Sequence, residues 1–115
     1  MIVYKNLTLH KITLAETVEG VEIVEPIYDK SALIVDTDEI DKEFDRILGV
    51  VAPYIRSGDK VIVGGHPLVC QAIITACIIK GAVPYMTKIN EFRQVFYFYK
   101  VKTYFDIDRR SRLML

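Results

Sequence analysis

The residues best placed for chemistry stand at one junction. Gly64-Gly65-His66-Pro67 separates the β-branched run Lys60-Val61-Ile62-Val63 from the apolar run Leu68 to Ile79. A strand that turns through glycines into a helix exposes free N–H groups and the positive end of a helix dipole. Such an end attracts phosphate. Two glycines let a ligand approach the backbone closely. Pro67 suits the first turn of a helix, where a missing N–H costs nothing. His66 could donate a hydrogen bond to a phosphate, or pass a proton as acid or base. The alternatives are structural: a tight β-to-α turn that needs small residues, and a histidine that only caps the helix. An alanine at Gly65 is expected to cost the fold little unless φ is positive there. The junction lacks the Lys-Ser/Thr of a P-loop and the spacing of a dinucleotide fingerprint.

A second set follows the next strand, in Thr87-Lys88-Ile89-Asn90-Glu91-Phe92-Arg93. If Ala82 to Met86 runs parallel to and beside Val61–Val63, its end lies next to Gly64–His66. Thr87, Lys88, Asn90 and Arg93 would then meet the same anion. The alternative is a solvated hairpin turn. His10 reads as a surface or packed histidine. Tyr85, Tyr97, Tyr99 and Tyr104 read as core or interface rather than base-stacking platforms.

The elements around these residues follow from pattern. Ile2 to Leu14 alternates in part and predicts a strand or two short ones. Val18 to Val24 predicts another, with a turn or bulge at Gly20. Ala32 to Val35 predicts a short strand. Asp36 with Glu39 three residues later predicts a capping box. Ile40, Phe44, Ile47, Leu48 and Val51 then form a helical apolar face, with Lys42, Glu43, Asp45 and Arg46 outside it. Pro53 should end that helix near Val51. Leu68 to Ile79 is apolar almost all round, which predicts cover on most sides, in part by a second subunit. Lys80-Gly81 stops it. Ala82 to Met86 is a strand broken by Pro84. Gln94 to Phe105 is an aromatic strand, with Val95, Tyr97, Tyr99 and Val101 on one face and Phe96, Phe98, Lys100 and Lys102 on the other. Its first half is expected to be central in the sheet. The whole is one α/β domain over residues 1–105, a mixed β-sheet with two main helices around a Rossmann-like strand–turn–helix core. A basic tail follows over 106–115.

Composition narrows the partners. The chain has 115 residues, 51% hydrophobic and 26% charged, with a formal net charge of zero. Residues 1–50 hold eleven acids and five bases, and residues 51–115 hold four acids and ten bases. The halves are expected to pair with each other, within a subunit or across a homodimer. A neutral total does not drive binding to long nucleic acids, though a small anion needs only a local positive pocket. Cys70 and Cys77 lie about 10 Å apart on one helix, beyond disulfide reach, and are expected to be reduced. His10 and His66 are too far apart in sequence to read as a zinc motif, so no metal and no cofactor are expected. No apolar run is long enough for a bilayer and no signal peptide is visible, so a cytoplasmic protein without a membrane partner is expected.

From Val61 to about Val101, about a third of the chain, the sequence resembles the small CRISPR-associated ring nucleases of type III systems. The matching residues are Val61-Ile62-Val63-Gly64-Gly65-His66-Pro67-Leu68, Ala82-Val83-Pro84-Tyr85-Met86-Thr87-Lys88, and Gln94-Val95-Phe96-Tyr97-Phe98-Tyr99. The Gly-His turn before a buried helix is also similar to viral ring nucleases that antagonise the same signalling. The resemblance implies a CARF-like core, a homodimer, and a cyclic oligoadenylate, cyclic tetra-adenylate above all, bound at the dimer interface and opened without metal. For that ring opening His66 and Lys88 are the candidate catalytic residues, with no general base paired with them. The chain departs from the family where Gly65-His66 replaces an arginine between glycines, where Met86 and Thr87 replace an acid, and where Lys88 replaces an arginine. Hydrolysis is more exposed to these changes than binding. Two other functions stay open: a non-catalytic sponge or sensor for the same messenger, and a ligand-free oligomeric interaction protein.

Overall fold

The computed structural model describes residues 1–103. The predicted basic tail and the end of the predicted aromatic strand lie outside the described residues. Five strands form one sheet, in the order β2-β1-β3-β4-β5. They are β1 Ile2–Asn6, β2 Val21–Val24, β3 Lys60–Ile62, β4 Val83–Ile89 and β5 Val95–Lys100. The first four run parallel and β5 is antiparallel to β4. The helices are α1 Ile40–Val51 and α2 Pro67–Lys80, which pack against each other. This is the mixed α/β sheet with two main helices that the patterns predict.

Connection handedness explains the layers. β1 leads to β2 on one side, while β3 leads to β4 on the other. Right-handed crossovers then place α1 and α2 on one face and the 7–20 connection on the opposite face. The helix-side core joins Leu7, Val61 and Val63 of the sheet region to Ile47, Val51, Val69, Ile73 and Ala76 of the helices. On the other face the buried Tyr4 ring stacks on Phe98 at 4.1 Å and meets Tyr85 edge-on at 5.1 Å. The 7–20 connection is hooked to the far edge of the sheet. Val95 N–H donates to the Thr13 carbonyl at 2.7 Å, and Ala15 N–H donates to the Val95 carbonyl at 2.9 Å.

Several expectations are corrected. Ala32 to Val35 is not a strand; Lys30–Leu33 forms a 3-10 turn. The Asp29 carboxylate accepts both the Ser31 N–H at 3.0 Å and its hydroxyl at 2.6 Å, which turns the chain before an extended run can start. Leu33 drops into the core. Asp36 does cap, but a 3-10 turn over Thr37–Glu39 delays α1 to Ile40. The side chain that returns to the Asp36 N–H is therefore Glu43, at 3.0 Å, and not Glu39. Glu43 is buried rather than solvent-facing. It accepts from Arg46 Nε at 2.7 Å and Nη2 at 2.5 Å, and Arg46 also donates to the carbonyls of Ala32 and Ile34. That network ties the 30–36 segment to α1.

β4 runs straight through Pro84. The missing N–H of Pro84 falls where β5 ends: Val101 N–H donates to the Pro84 carbonyl at 2.9 Å, and no bond can return. β5 lies at the sheet edge, not in its centre, and a bulge at Phe96, opposite the Lys88–Ile89 step of β4, shifts its register. On α2, Ile78 and Ile79 are exposed, so this one copy leaves part of the apolar surface uncovered. The start and stop of α2 fall where Pro67 and Gly81 predict, with Gly81 left-handed at φ +75°.

Candidate functional site

The carboxyl ends of β1 and β3 lie side by side, and their onward connections leave to opposite faces. In an open parallel sheet that is the point where a crevice forms. Here it holds a depression of about 200 Å³, lined by Leu9, Leu33, Ile34 and Val35 against Gly64, Gly65, His66 and Val69.

On the β1 side the loop that carries Leu9 and His10 is braced by Asn6 and Thr8, both fully buried. Asn6 Oδ1 accepts the Thr8 N–H at 3.0 Å and its hydroxyl at 2.7 Å. Asn6 Nδ2 donates to the His10 carbonyl at 2.8 Å and to Glu25 Oε1 at 3.0 Å. All four hydrogen-bonding positions of the amide are used, so the loop that carries His10 is fixed from beneath. Glu25 also accepts from Lys30 Nζ at 3.1 Å, and these bonds, that from Lys30 foremost, hold its carboxyl below the usual range.

The β3 side is the glycine turn. Gly65 has φ +96°, a region that side-chain-bearing residues rarely enter. A Cβ on Gly65 would stand 3.9 Å from His10 Nε2, and one on Gly64 would stand 3.7 Å from Thr8 Cγ2. The two loops therefore touch, and His10 and His66 both belong to the neighbourhood of Gly65. His66 is the N-cap of α2: its Nδ1 accepts the Leu68 N–H at 3.1 Å. That bond leaves the ring proton on Nε2, the outer nitrogen. Pro67 has no N–H and the cap occupies that of Leu68. Two first-turn positions are thus closed to an anion, and the exposed imidazole presents a donor beside them. Cys70 Sγ lies 3.6 Å from the Gly65 carbonyl, but burial pushes the thiol pKa up and keeps it protonated. Cys77 is buried deeper, with a pKa pushed up to about 12 by that burial first and by Asp59 second.

Gly64, Gly65 and His66 thus line one depression, with Pro67 at its rim in the first position of α2. The second set stands apart from it within one copy. β4 continues to Ile89, and its Tyr85 pairs with Ile62, the last residue of β3. Lys88 lies three residues further along, about 10 Å on. It lines a separate depression of about 600 Å³ with Phe96, Tyr97 and Tyr99. Thr87 pairs with Phe98 inside the ladder. Asn90 closes the hairpin, its Oδ1 accepting the N–H groups of Phe92 at 3.0 Å and Gln94 at 2.9 Å. Arg93 sits in that turn at φ +59°. Sequence reasoning passed over Asn6, Thr8 and His10. Their signal was a polar residue at every second position as the β1 run ends.

Among the described residues no group of three His, Cys, Asp or Glu side chains is arranged to hold a metal ion. No helix among them is long and apolar enough to cross a membrane. No protein-family model matches the chain, and no curated protein matches it in sequence.

Proposed function

We propose that this protein binds a cyclic oligoadenylate, of the cyclic tetra-adenylate class, between two copies of the chain, and opens the ring without metal. The observation that carries the reading is the pairing of the Gly64–Gly65 turn with two histidines at the switch point of a parallel sheet. The glycines give a phosphodiester access to the backbone, and His66 Nε2–H points outward as a donor. A depression of about 200 Å³ has room for one base or one phosphate of a ring, not for the whole. The rest of the ring needs a second copy, and this supports the dimer.

In the ring-opening step, one imidazole takes the proton of a ribose 2′-hydroxyl. The 2′-oxygen attacks the adjoining phosphorus in line, and the bond from phosphorus to the 5′-oxygen breaks. The other imidazole gives that leaving oxygen a proton. The products are a 2′,3′-cyclic phosphate and a 5′-hydroxyl, and no oxidant or further reactant is consumed. His10 takes the role of base, and His66, whose outer Nε2 carries a proton, faces the leaving oxygen.

The test is incubation with cyclic tri-, tetra- and hexa-adenylate, read by chromatography and thermal shift, with light scattering for the oligomeric state. Ring opening that His66→Ala slows by about 10²–10⁴ supports the enzyme. A thermal shift without cleavage leaves a sponge or sensor. Neither, with a stable dimer, leaves an interaction protein, a reading that the exposed Ile78 and Ile79 of α2 favour. A strict monomer at micromolar concentration removes the shared site.

A further inference from the structure

The second depression, on the outer hairpin of β4 and β5, is chemically unlike the first. Simple alternation puts Phe96 on the face opposite Tyr97. The structure does otherwise. Ile89 pairs with Val95 and Lys88 with Tyr97, so Phe96 is the extra residue of a β-bulge. The bulge turns its ring to the side of Tyr97 and Tyr99, and three aromatic rings gather around Lys88 in a hollow of about 600 Å³. Phe96, Tyr97 and Tyr99 are 41%, 57% and 42% exposed, although they lie on a hairpin whose backbone is well paired. The Tyr97 and Tyr99 rings are nearly parallel, at 18°, with centroids 6.4 Å apart. Two near-parallel exposed rings, two residues apart on one strand, offer a flat apolar platform on which a planar base can stack.

We infer that this hollow is a stacking site for an unpaired nucleobase, whose adjoining phosphate lies on Lys88. Charge selects the occupant. The Lys88 ammonium makes no ion pair or hydrogen bond among the described residues. Residues 83–103 carry four bases, Lys88, Arg93, Lys100 and Lys102, against one acid, Glu91. A second copy docked here by a twofold axis would bring two uncompensated ammonium groups together and remove both from water, at a cost. A nucleotide brings the missing negative charge and a flat apolar surface together, which is the combination that single-strand binders use. The inference stands without the Gly64–Gly65 turn.

The same chemistry reaches the hollow from a cyclic messenger or from single-stranded RNA. The probes are therefore fluorescein-labelled linear octa-adenylate, followed by anisotropy at low salt, and unlabelled cyclic tetra-adenylate as competitor. The full chain is expected to bind the linear probe. Tyr97→Ala and Tyr99→Ala should each weaken it by roughly ten-fold or more. Tyr97→Phe should bind as the parent does, because the ring is kept. Lys88→Ala should lower the salt slope by about 0.7, the value for one single-strand phosphate contact. Competition by the cyclic ring assigns the hollow to a messenger, and binding of the linear probe alone assigns it to RNA; both support the site. Circular dichroism confirms that each variant is folded. Gly64→Ala is the control: loss of binding there, with both tyrosine variants unaffected, overturns this inference and leaves the turn standing. No binding of either probe overturns it too. So does sedimentation in which Tyr97→Ala splits a dimer while binding is unchanged, which gives the hollow to a second copy.

Discussion

Asn6 Nδ2 donates to the backbone carbonyl of His10 at 2.8 Å, and through that bond a buried amide at the end of β1 decides where an exposed imidazole stands. The same amide holds Thr8, whose methyl carbon faces Gly64. Removing it strands several polar groups beneath the loop. Asn6→Ala is expected to destabilise the fold by about 1–3 kcal/mol, the cost of leaving buried partners unpaired. Chemical denaturation measures it. A change under a few tenths of a kcal/mol would mean that water replaces the amide.

The two glycines of the turn separate backbone from access. Gly65 is at φ +96°, so Gly65→Ala should cost about 1–2 kcal/mol from the backbone alone. Gly64 carries no such φ, and its added Cβ would make an ordinary contact at 3.7 Å. Gly64→Ala should therefore melt within a few degrees of the parent, while Gly65→Ala melts well below it. Equal melting points for the two would contradict the left-handed geometry.

His66 holds α2 through Nδ1, so His66→Ala should lose a cap, about 0.5–2 kcal/mol. His66→Asp offers an oxygen to the same Leu68 N–H and should recover most of that stability without restoring any ring opening. Urea titration beside a cleavage assay reads both. Recovery of cleavage in the aspartate variant would show that the imidazole does no chemistry.

Glu43 is the group whose titration the fold feels. The hydrogen bonds from Arg46, and then that from the Asp36 N–H, hold its pKa at about 2 against an ordinary 4.5. A depressed carboxyl contributes stability that is complete above the unfolded pKa and is lost as pH falls through the folded one. Glu43→Gln should therefore be less stable than the parent at pH 6, with the gap closing between about pH 4.5 and 2. Urea midpoints across that range test it, and a gap independent of pH would sink the assignment.

Where signals were local, the sequence sufficed. Pro67 and Gly81 bound α2 as their backbone chemistry requires, and the β-branched run at Lys60–Val63 yields the strand Lys60–Ile62 with Val61 and Ile62 buried. Where a side chain elsewhere decided the matter, it did not. Ala32 to Val35 looks like a strand until Asp29 takes the Ser31 N–H, and Glu43 looks solvated until Arg46 and Asp36 claim it. Pro84 reads as a break, yet its absent N–H only ends the ladder with β5. At the site, Gly64–His66 was readable as one motif. His10 was not, because parallel pairing of β1 with β3 brings it there from the far end of the sequence. Lys88 falls within β4 rather than in a turn after it, because the strand continues to Ile89 and carries that residue about 10 Å beyond Tyr85.

The bridge between Leu14 and Val95 has a consequence for how the molecule is made. It joins the first loop of the chain to the start of the last described strand. A ribosome must deliver nearly all of the described residues before that latch can shut. Until then β1 has no fixed cover on the face opposite the helices. Tyr4 waits as well, because the ring it stacks on, Phe98, emerges at the same late moment. One side of this sheet is therefore finished in a single event, once β5 has been made.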